Sequence, residues 1–250
     1  MIVLLATLAL AADPADPAEE TPLTAHAGHA TTLGPGHGVV GLFRPWAIGV
    51  SDKVDLGTTG PAALVAPKVD VKVSLFEDDD DEQAAALAVT GGLGLPSLGL
   101  SFLRGSVLSS DPTQSLGFAA VGELGIVGTL RQRRTVTSLG AELRVGGQTG
   151  NFAPVDMFFV GPMLAPITEG PALRLRWVTD YPLAKRLVLT SDFAVQLGST
   201  GPDLVARGFF LGGLSKHVAL GAGWAVAAET LSFGGKDSWG VPLLDVQGRW

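Results

Sequence analysis

Leu243-Leu244-Asp245-Val246-Gln247-Gly248-Arg249-Trp250 is the stretch on which the fold turns. Taken two at a time, Leu244, Val246, Gly248 and Trp250 fall on one side, and Asp245, Gln247 and Arg249 on the other. Successive side chains of a β-strand point to opposite faces, so this segment is a strand with one apolar and one polar face. The alternation recurs upstream. In Lys68 to Phe76, Val69, Val71, Val73 and Leu75 alternate with Lys68, Asp70, Lys72 and Ser74. Ala85 to Leu95, Gly117 to Leu130 and Thr135 to Gly147 repeat the pattern, as do Leu173 to Tyr181, Leu187 to Leu197, Leu204 to Leu214 and Val218 to Ala228. Val39 to Val50 reads as a first strand with Pro45 at a bend or edge position, followed by Val54 to Gly57. Leu98 to Leu108 and Ala153 to Leu164 are less regular. Clusters of Gly, Pro, Asn, Asp and Ser separate the segments, as turns require.

A chain of 250 residues admits one barrel or two small soluble domains, so the faces must decide. A water-facing sheet is dense in Lys, Glu, Thr and Gln, whereas the polar faces here are mostly Gly, Ala, Ser and Thr with occasional charges. Charged residues are 16% of the chain, hydrophobic residues 46%, and the mean hydropathy is +0.36. Soluble surfaces carry roughly 25–35% charged residues, so material for a water-facing exterior is short. Beyond the N-terminus no window holds about 18 consecutive apolar residues, which excludes helical spans. The pattern predicts an all-β fold, an antiparallel up-and-down transmembrane β-barrel of about 12 strands within a range of about 10 to 14. Its apolar face meets lipid and its small polar face lines a narrow lumen. A soluble sandwich or lipocalin-like barrel is the alternative. Trp46, Tyr181, Trp239 and Trp250 lie at or near strand ends, where interfacial girdles form, while Trp177 and Trp224 are mid-strand.

Residues 1–12 form a short apolar run closing on small residues, with Ala9-x-Ala11 in the pattern of a cleaved secretory signal peptide. Residues 13–38, rich in Pro, Ala and Gly, read as a flexible periplasmic tail or linker, and 39–250 as the barrel. The tail carries His26, His29 and His37. Their spacing could take a transition metal loosely. Nothing nearby would orient the rings, and chance clustering accounts for them, so no metal site is assigned. Cysteine is absent, which excludes disulfides and thiolate sites. A net charge of −7 without a basic stripe argues against nucleic acid as a partner.

The alternating strands, the export signal and the terminal Trp250 together resemble Gram-negative bacterial outer-membrane β-barrel proteins. Val50-Ser51-Asp52-Lys53-Val54-Asp55-Leu56 and Leu183-Ala184-Lys185-Arg186-Leu187-Val188-Leu189 look like the short hairpins common in that family. The likeness spans Val39 to Trp250 as a pattern, and no motif fixes a subfamily. It implies an integral outer-membrane location, contact with outer-membrane lipid, and assembly by the barrel-insertion machinery through the strand ending at Trp250. It implies no ligand and no functional residues.

Both signs of charge occur on the inward faces. Glu123, Glu142, Arg144, Arg174, Arg176 and Asp192 are the candidate lumen and ligand residues. A mixed set favours ion pairs that cross-link a narrow interior over a selective ring of one sign. Arg174 and Arg176 make a basic step that could meet an anion, against the plainer reading of pairing with Glu142 or Asp192. Glu77-Asp78-Asp79-Asp80-Asp81-Glu82 lacks the spacing of a calcium loop and reads as a solvated loop. A lipid hydrolase built on such a barrel needs a serine beside a histidine at a strand end. Only His217, after Ser215-Lys216 in a short turn, stands within the strand region. The expectation is therefore that the chain is not an enzyme and takes no cofactor. A channel, transport-type or accessory barrel with a narrow mixed-charge lumen comes first among the functions. A plugged structural or binding barrel acting through its loops comes second, and an outer-membrane lipid hydrolase third.

Overall fold

Alternation of this kind satisfies backbone hydrogen bonds only if every strand finds two neighbours, and the computed structural model shows how they are found. It describes residues 28–41, 45–58, 67–79, 83–98, 117–132, 135–149, 166–167, 170–199, 201–215, 217–230 and 236–250. The strands are β1 (Gly38–Gly41), β2 (Trp46–Ser51), β3 (Val54–Thr58), β4 (Lys68–Asp79), β5 (Gln83–Gly94) and β6 (Ala119–Gln132). Then come β7 (Thr135–Gln148), β8 (Ala172–Ala184), β9 (Leu187–Leu197), β10 (Pro202–Gly213), β11 (Val218–Thr230) and β12 (Lys236–Arg249). Each pairs antiparallel with the next, and β1 pairs with β12 through Val39–Gly41 against Gln247–Arg249, so the sheet closes as a 12-stranded barrel. Short connections such as Lys185–Arg186 lie at one end, the turn end. The strand ends that flank the long connections 95–118 and 149–171 lie at the other, the loop end.

The outer wall is apolar and uncovered. Leu124, Leu139 and Trp224 are 63%, 65% and 64% exposed, and Val69, Leu143, Trp177, Phe193, Leu244 and Val246 join them around the circumference. A soluble monomer rarely exposes a contiguous apolar patch beyond a few hundred Å². A band running round a closed wall is suited to lipid, because backbone groups paired between neighbouring strands need no water. Trp46, Tyr181 and Trp250 are exposed near strand ends and Trp177 and Trp224 in mid-wall, as expected. The side chain of Trp239 lies outside the described residues.

The seam shows why the closing stretch matters. Gly38 and Trp250 exchange backbone hydrogen bonds of 3.1 and 3.2 Å, and Val39 opposes Arg249. The indole of Trp250 occupies the space a Cβ on Gly38 would fill. Gly38→Val is expected to overpack this contact and destabilise the barrel by about 1–3 kcal/mol. A lowered urea midpoint of the compact, heat-modifiable form would register it.

Three expectations differ from the structure. Val39 to Val50 is not one strand but the hairpin β1–β2, in which Val39 pairs with Ala47, and Pro45 lies in the connection. Leu98 ends a short helical turn rather than starting a strand, and 99–108, like Ala153 to Leu164, lies outside the described residues. The acidic run is not wholly a loop, because β4 continues to Asp79. A bulge between Ser74 and Phe76 shifts the register there. It leaves both Leu75 and Phe76 on the outer wall, 55% and 53% exposed, and thereby turns Glu77 towards the lumen. Asp80, Asp81 and Glu82 lie outside the described residues.

Candidate functional site

The lumen holds two polar clusters, one in each half. In the loop half the charges form a lateral chain along the wall. Lys68 on β4 bonds Asp70 at 2.9 Å and also bonds Glu123 on β6. This bridge passes over Gly92 of β5, where a Cβ would meet the Asp70 carboxylate and the Lys68 chain. Glu123 Oε1 accepts from Arg144 Nε and Nη2 at 2.9 and 2.7 Å, and Arg144 Nη1 donates to Gln196 Oε1 on β9 at 2.5 Å. The second span passes over β8 at Ala172, the cross-strand partner of Arg144. Small residues at alternate strands are what let long side chains reach past one strand to the next. Further along the wall, Arg176 grips Asp192 in a bidentate pair of 2.9 and 2.8 Å.

The six candidate residues therefore gather on the inner face of β6 to β9, but not as expected in every detail. Glu123, Arg144, Arg176 and Asp192 are ion-paired. Glu142 Oε1 lies 3.8 Å from Arg144 Nε and has no hydrogen-bond partner. Arg174 faces Glu142 and Gln196 across the ladder and, among the described residues, bonds to neither. Gln196, an uncharged residue, was not among the candidates. At the mouth, Pro166 and Ile167 pack against Gly146, where a Cβ would collide with their backbone.

The turn half is filled by a segment that composition assigns to a mobile tail. Residues 28–34 lie against the inner wall with His29 and Ala30 buried, and Pro35, Gly36 and His37 are exposed where the segment turns into β1. Gly34 and Gly36 have φ of 76° and 78°, left-handed values that suit glycine, and they carry the chain round into β1. Gly34 packs against Gly49 of β2, which leaves no room for a Cβ there. The seat holds backbone more than side chains. Ala30 N donates to Thr129 Oγ1 at 2.6 Å, Thr32 N to Glu77 Oε1 at 3.1 Å, and Leu33 N to Asp55 Oδ1 at 3.0 Å. Lys72 Nζ bonds Asp55 at 2.9 Å and donates to the carbonyls of Thr31 and His29 at 2.5 and 3.3 Å, so all three of its donors are engaged.

Two side chains are held as well, Thr32 at the exposed end, where its hydroxyl lies 2.7 Å from the Asp52 carbonyl and 3.1 Å from Glu77 Oε1, and His29 at the buried end. His29 Nδ1 lies 2.6 Å from Ser138 Oγ, and Nε2 lies 3.0 Å from Asp180 Oδ2. Ser138 also bonds Thr129 at 2.6 Å, and Thr190 donates to Asp180 Oδ1 at 2.7 Å. A neutral imidazole satisfies the chain in one direction. Ala30 N–H donates to Thr129, Thr129 to Ser138, Ser138 to His29 Nδ1, and His29 Nε2–H to Asp180. In this arrangement Ser138 Oγ is enclosed between His29 and Thr129, and the set acts as a latch on the segment.

The remaining histidines are apart from it. His37 meets the Trp250 carbonyl at 3.3 Å, so it shares no site with His29, and His26 lies outside the described residues. Among the described residues no metal-binding cluster occurs. His217 Nδ1 donates to the Arg249 carbonyl at 3.0 Å, while Ser215 Oγ accepts from the backbone N–H groups of His217 and Val218. His217 and Ser215 are thus turn and seam residues.

No protein-family model matches the chain, and no curated protein matches it. Among solved structures it is similar to the outer-membrane protein OmpT of Vibrio cholerae as expressed in the outer membrane, with 10% identity and a TM-score of 0.43. That match covers 82% of this chain and 64% of the other. A form of OmpT lacking loop L8 matches at 10% identity and TM-score 0.46, covering 82% and 62%. The in-vitro folded form matches at 9% and 0.42, covering 82% and 63%. The chain thus spans a little under two thirds of the length of these barrels. The expectation that the chain is not an enzyme is corrected here. It rested on His217 being the one histidine among the strands, and His29 stands among them too, bonded to a serine and an aspartate. The likeness to OmpT lends that exclusion no support either.

Proposed function

We propose that the protein is an outer-membrane barrel of the channel or transport type that rests closed, stopped at the turn end by its own residues 28–37. The observation that carries this reading is the polar seat of that segment. Its bonds run from Asp55, Lys72, Glu77, Thr129, Ser138 and Asp180 to backbone groups, the Thr32 hydroxyl and one imidazole. Water can replace each of them. The apolar contact is small, Ala30 against Ala86, Ala88 and Val127. A stopper of this kind can leave without exposing a large apolar surface, whereas a permanent filling of the lumen would be expected to bury large side chains. Short turns face the periplasm in such barrels, so the seat is placed on the periplasmic side. A permanently plugged barrel acting through its loops is the second reading, favoured by the complete burial of His29 and Asp180.

Planar-bilayer conductance separates the two. A chain lacking residues 13–36 is expected to form long-lived open channels where the full chain opens rarely. Asp180→Ala removes the acceptor of two bonds, from His29 and Thr190. A hydrogen bond to a charged group contributes about 1.5–3 kcal/mol, so the balance of unseated to seated segment should rise about 10- to 150-fold. A truncated chain that opens beside full-length wild-type and Asp180→Ala proteins that never do would leave the permanently plugged barrel, and unchanged conductance in the truncated chain, with its heat-modifiable gel shift intact, would overturn closure by residues 28–37 altogether.

A further inference from the structure

Among the described residues, the loop half of the lumen holds donors that nothing accepts. Gln196 is 5% exposed, and its Oε1 is committed to Arg144 at 2.5 Å. That commitment turns its amide nitrogen the other way, and Nε2 is buried without a hydrogen-bond partner. Directly opposite on β8 stands Arg174, whose guanidinium has no hydrogen bond or ion pair among the described residues. Buried donors are almost always satisfied, and an orphan beside an unpaired guanidinium calls for an acceptor. The neighbouring cations do not share the vacancy, because Arg144 is held by Glu123 and Arg176 by Asp192.

We propose that Arg174 and Gln196 bind a small oxyanion, a carboxylate or phosphate, on the β8–β9 wall of the lumen. Arg174 supplies the charge and a planar fork of N–H donors, which fits two oxygens of one anion. Gln196 Nε2 supplies a further donor, aimed by the bond that Arg144 makes to the other end of the same amide. Arg207 on β10, opposite Asp192, is a second guanidinium without a hydrogen bond or ion pair among the described residues, and it lies farther down the wall as a next station. Two carboxylates bound the site, Glu142 opposite Arg174 and Asp203 opposite Gln196. Glu142 Oε1 lies 3.8 Å from Arg144 Nε, and Glu142 makes no ion pair with Arg174 among the described residues, so it does not occupy the fork, but its charge opposes the ligand. The inference deepens the channel reading by naming the class of solute, and it rests on that reading for its purpose. The two nevertheless fail separately, because binding here is read on the full chain with residues 28–37 seated, and gating by conductance.

The test is calorimetric titration of the folded full chain in nonionic detergent with inorganic phosphate and, in a second arm, with acetate, both at constant ionic strength. Saturable binding of at least one is expected, and the stronger of the two identifies the preferred oxyanion. Arg174→Gln should weaken it at least 10-fold. Gln196→Glu keeps an acceptor for Arg144 while replacing the free donor with a carboxylate oxygen, and should also weaken binding at least 10-fold. Glu142→Gln removes the opposing charge and should tighten binding at least 3-fold, a gain that mere damage to the fold would not produce. Wild-type protein that binds neither anion overturns the proposal, as does an Arg174→Gln protein that migrates as a folded barrel and binds with wild-type affinity.

Discussion

Arg144→Ala is expected to destabilise the folded barrel by about 3–5 kcal/mol, the cost of breaking a buried ion pair by removing one partner. Arg144 is 3% exposed and joins three strands through Glu123 and Gln196. Alanine would leave Glu123, whose side chain is 6% exposed, with Lys68 alone. It would also strand Gln196 Oε1 and remove the guanidinium 3.8 Å from Glu142 Oε1. Retention of Lys68 beside Glu123 places the expected loss nearer about 3 than about 5 kcal/mol. Equilibrium unfolding in urea, followed by tryptophan fluorescence, would measure it. A loss below about 1 kcal/mol, the scale of an exposed pair, would mean that water reaches Glu123 and that the network is not enclosed.

The comparison with Arg176 sharpens the point. Its pair with Asp192 has better geometry, but the two side chains are 28% and 14% exposed. Arg176→Ala should therefore cost less than Arg144→Ala, since burial rather than bond geometry sets the penalty for the orphaned partner. Replacing Arg144 and Glu123 together, by Met and Leu, should recover part of the single loss, because no uncompensated carboxylate then remains between them.

How much of this was legible in the chain depends on the distance over which each pattern is written. The wall was legible because period-two alternation is local, and Lys68 to Phe76 or Leu187 to Leu197 declares its faces within a few residues. The pairing of Arg176 with Asp192 followed from both facing inward on neighbouring strands. The stopper was not legible. Residues 28–37 have no period, and His29 finds Ser138 and Asp180 across 109 and 151 residues of chain, separations that no spacing rule encodes. One local signal was present. Leu75 and Phe76 are consecutive apolar residues in an alternating strand, the mark of a bulge that reverses the faces beyond it. Glu77, grouped by composition with a solvated acidic run, is by that reversal an inward residue. Gln196 is legible as an inward residue of Leu187 to Leu197 but not as a ligand, because an amide carries no charge, although its free Nε2 is what distinguishes the β8–β9 wall.

Leu124→Arg is expected to destabilise the barrel in lipid vesicles by about 2–4 kcal/mol, and Leu130→Arg by about 0–1 kcal/mol. Both side chains point outward from β6, 63% and 58% exposed, so burial within the protein does not distinguish them. Depth does. Leu124 lies near the middle of Ala119–Gln132, between Gly91 and Leu143 on its neighbours, and an arginine there sits at the bilayer midplane. Leu130 lies two residues from the strand's turn end, where a long cationic side chain reaches the headgroups. If the wall faced water, neither substitution would remove a buried group, and both would fall within about 0.5 kcal/mol of wild type. The difference between the two variants is thus a direct reading of the solvent around the barrel. That difference is insensitive to how the lumen is filled, because neither side chain touches it.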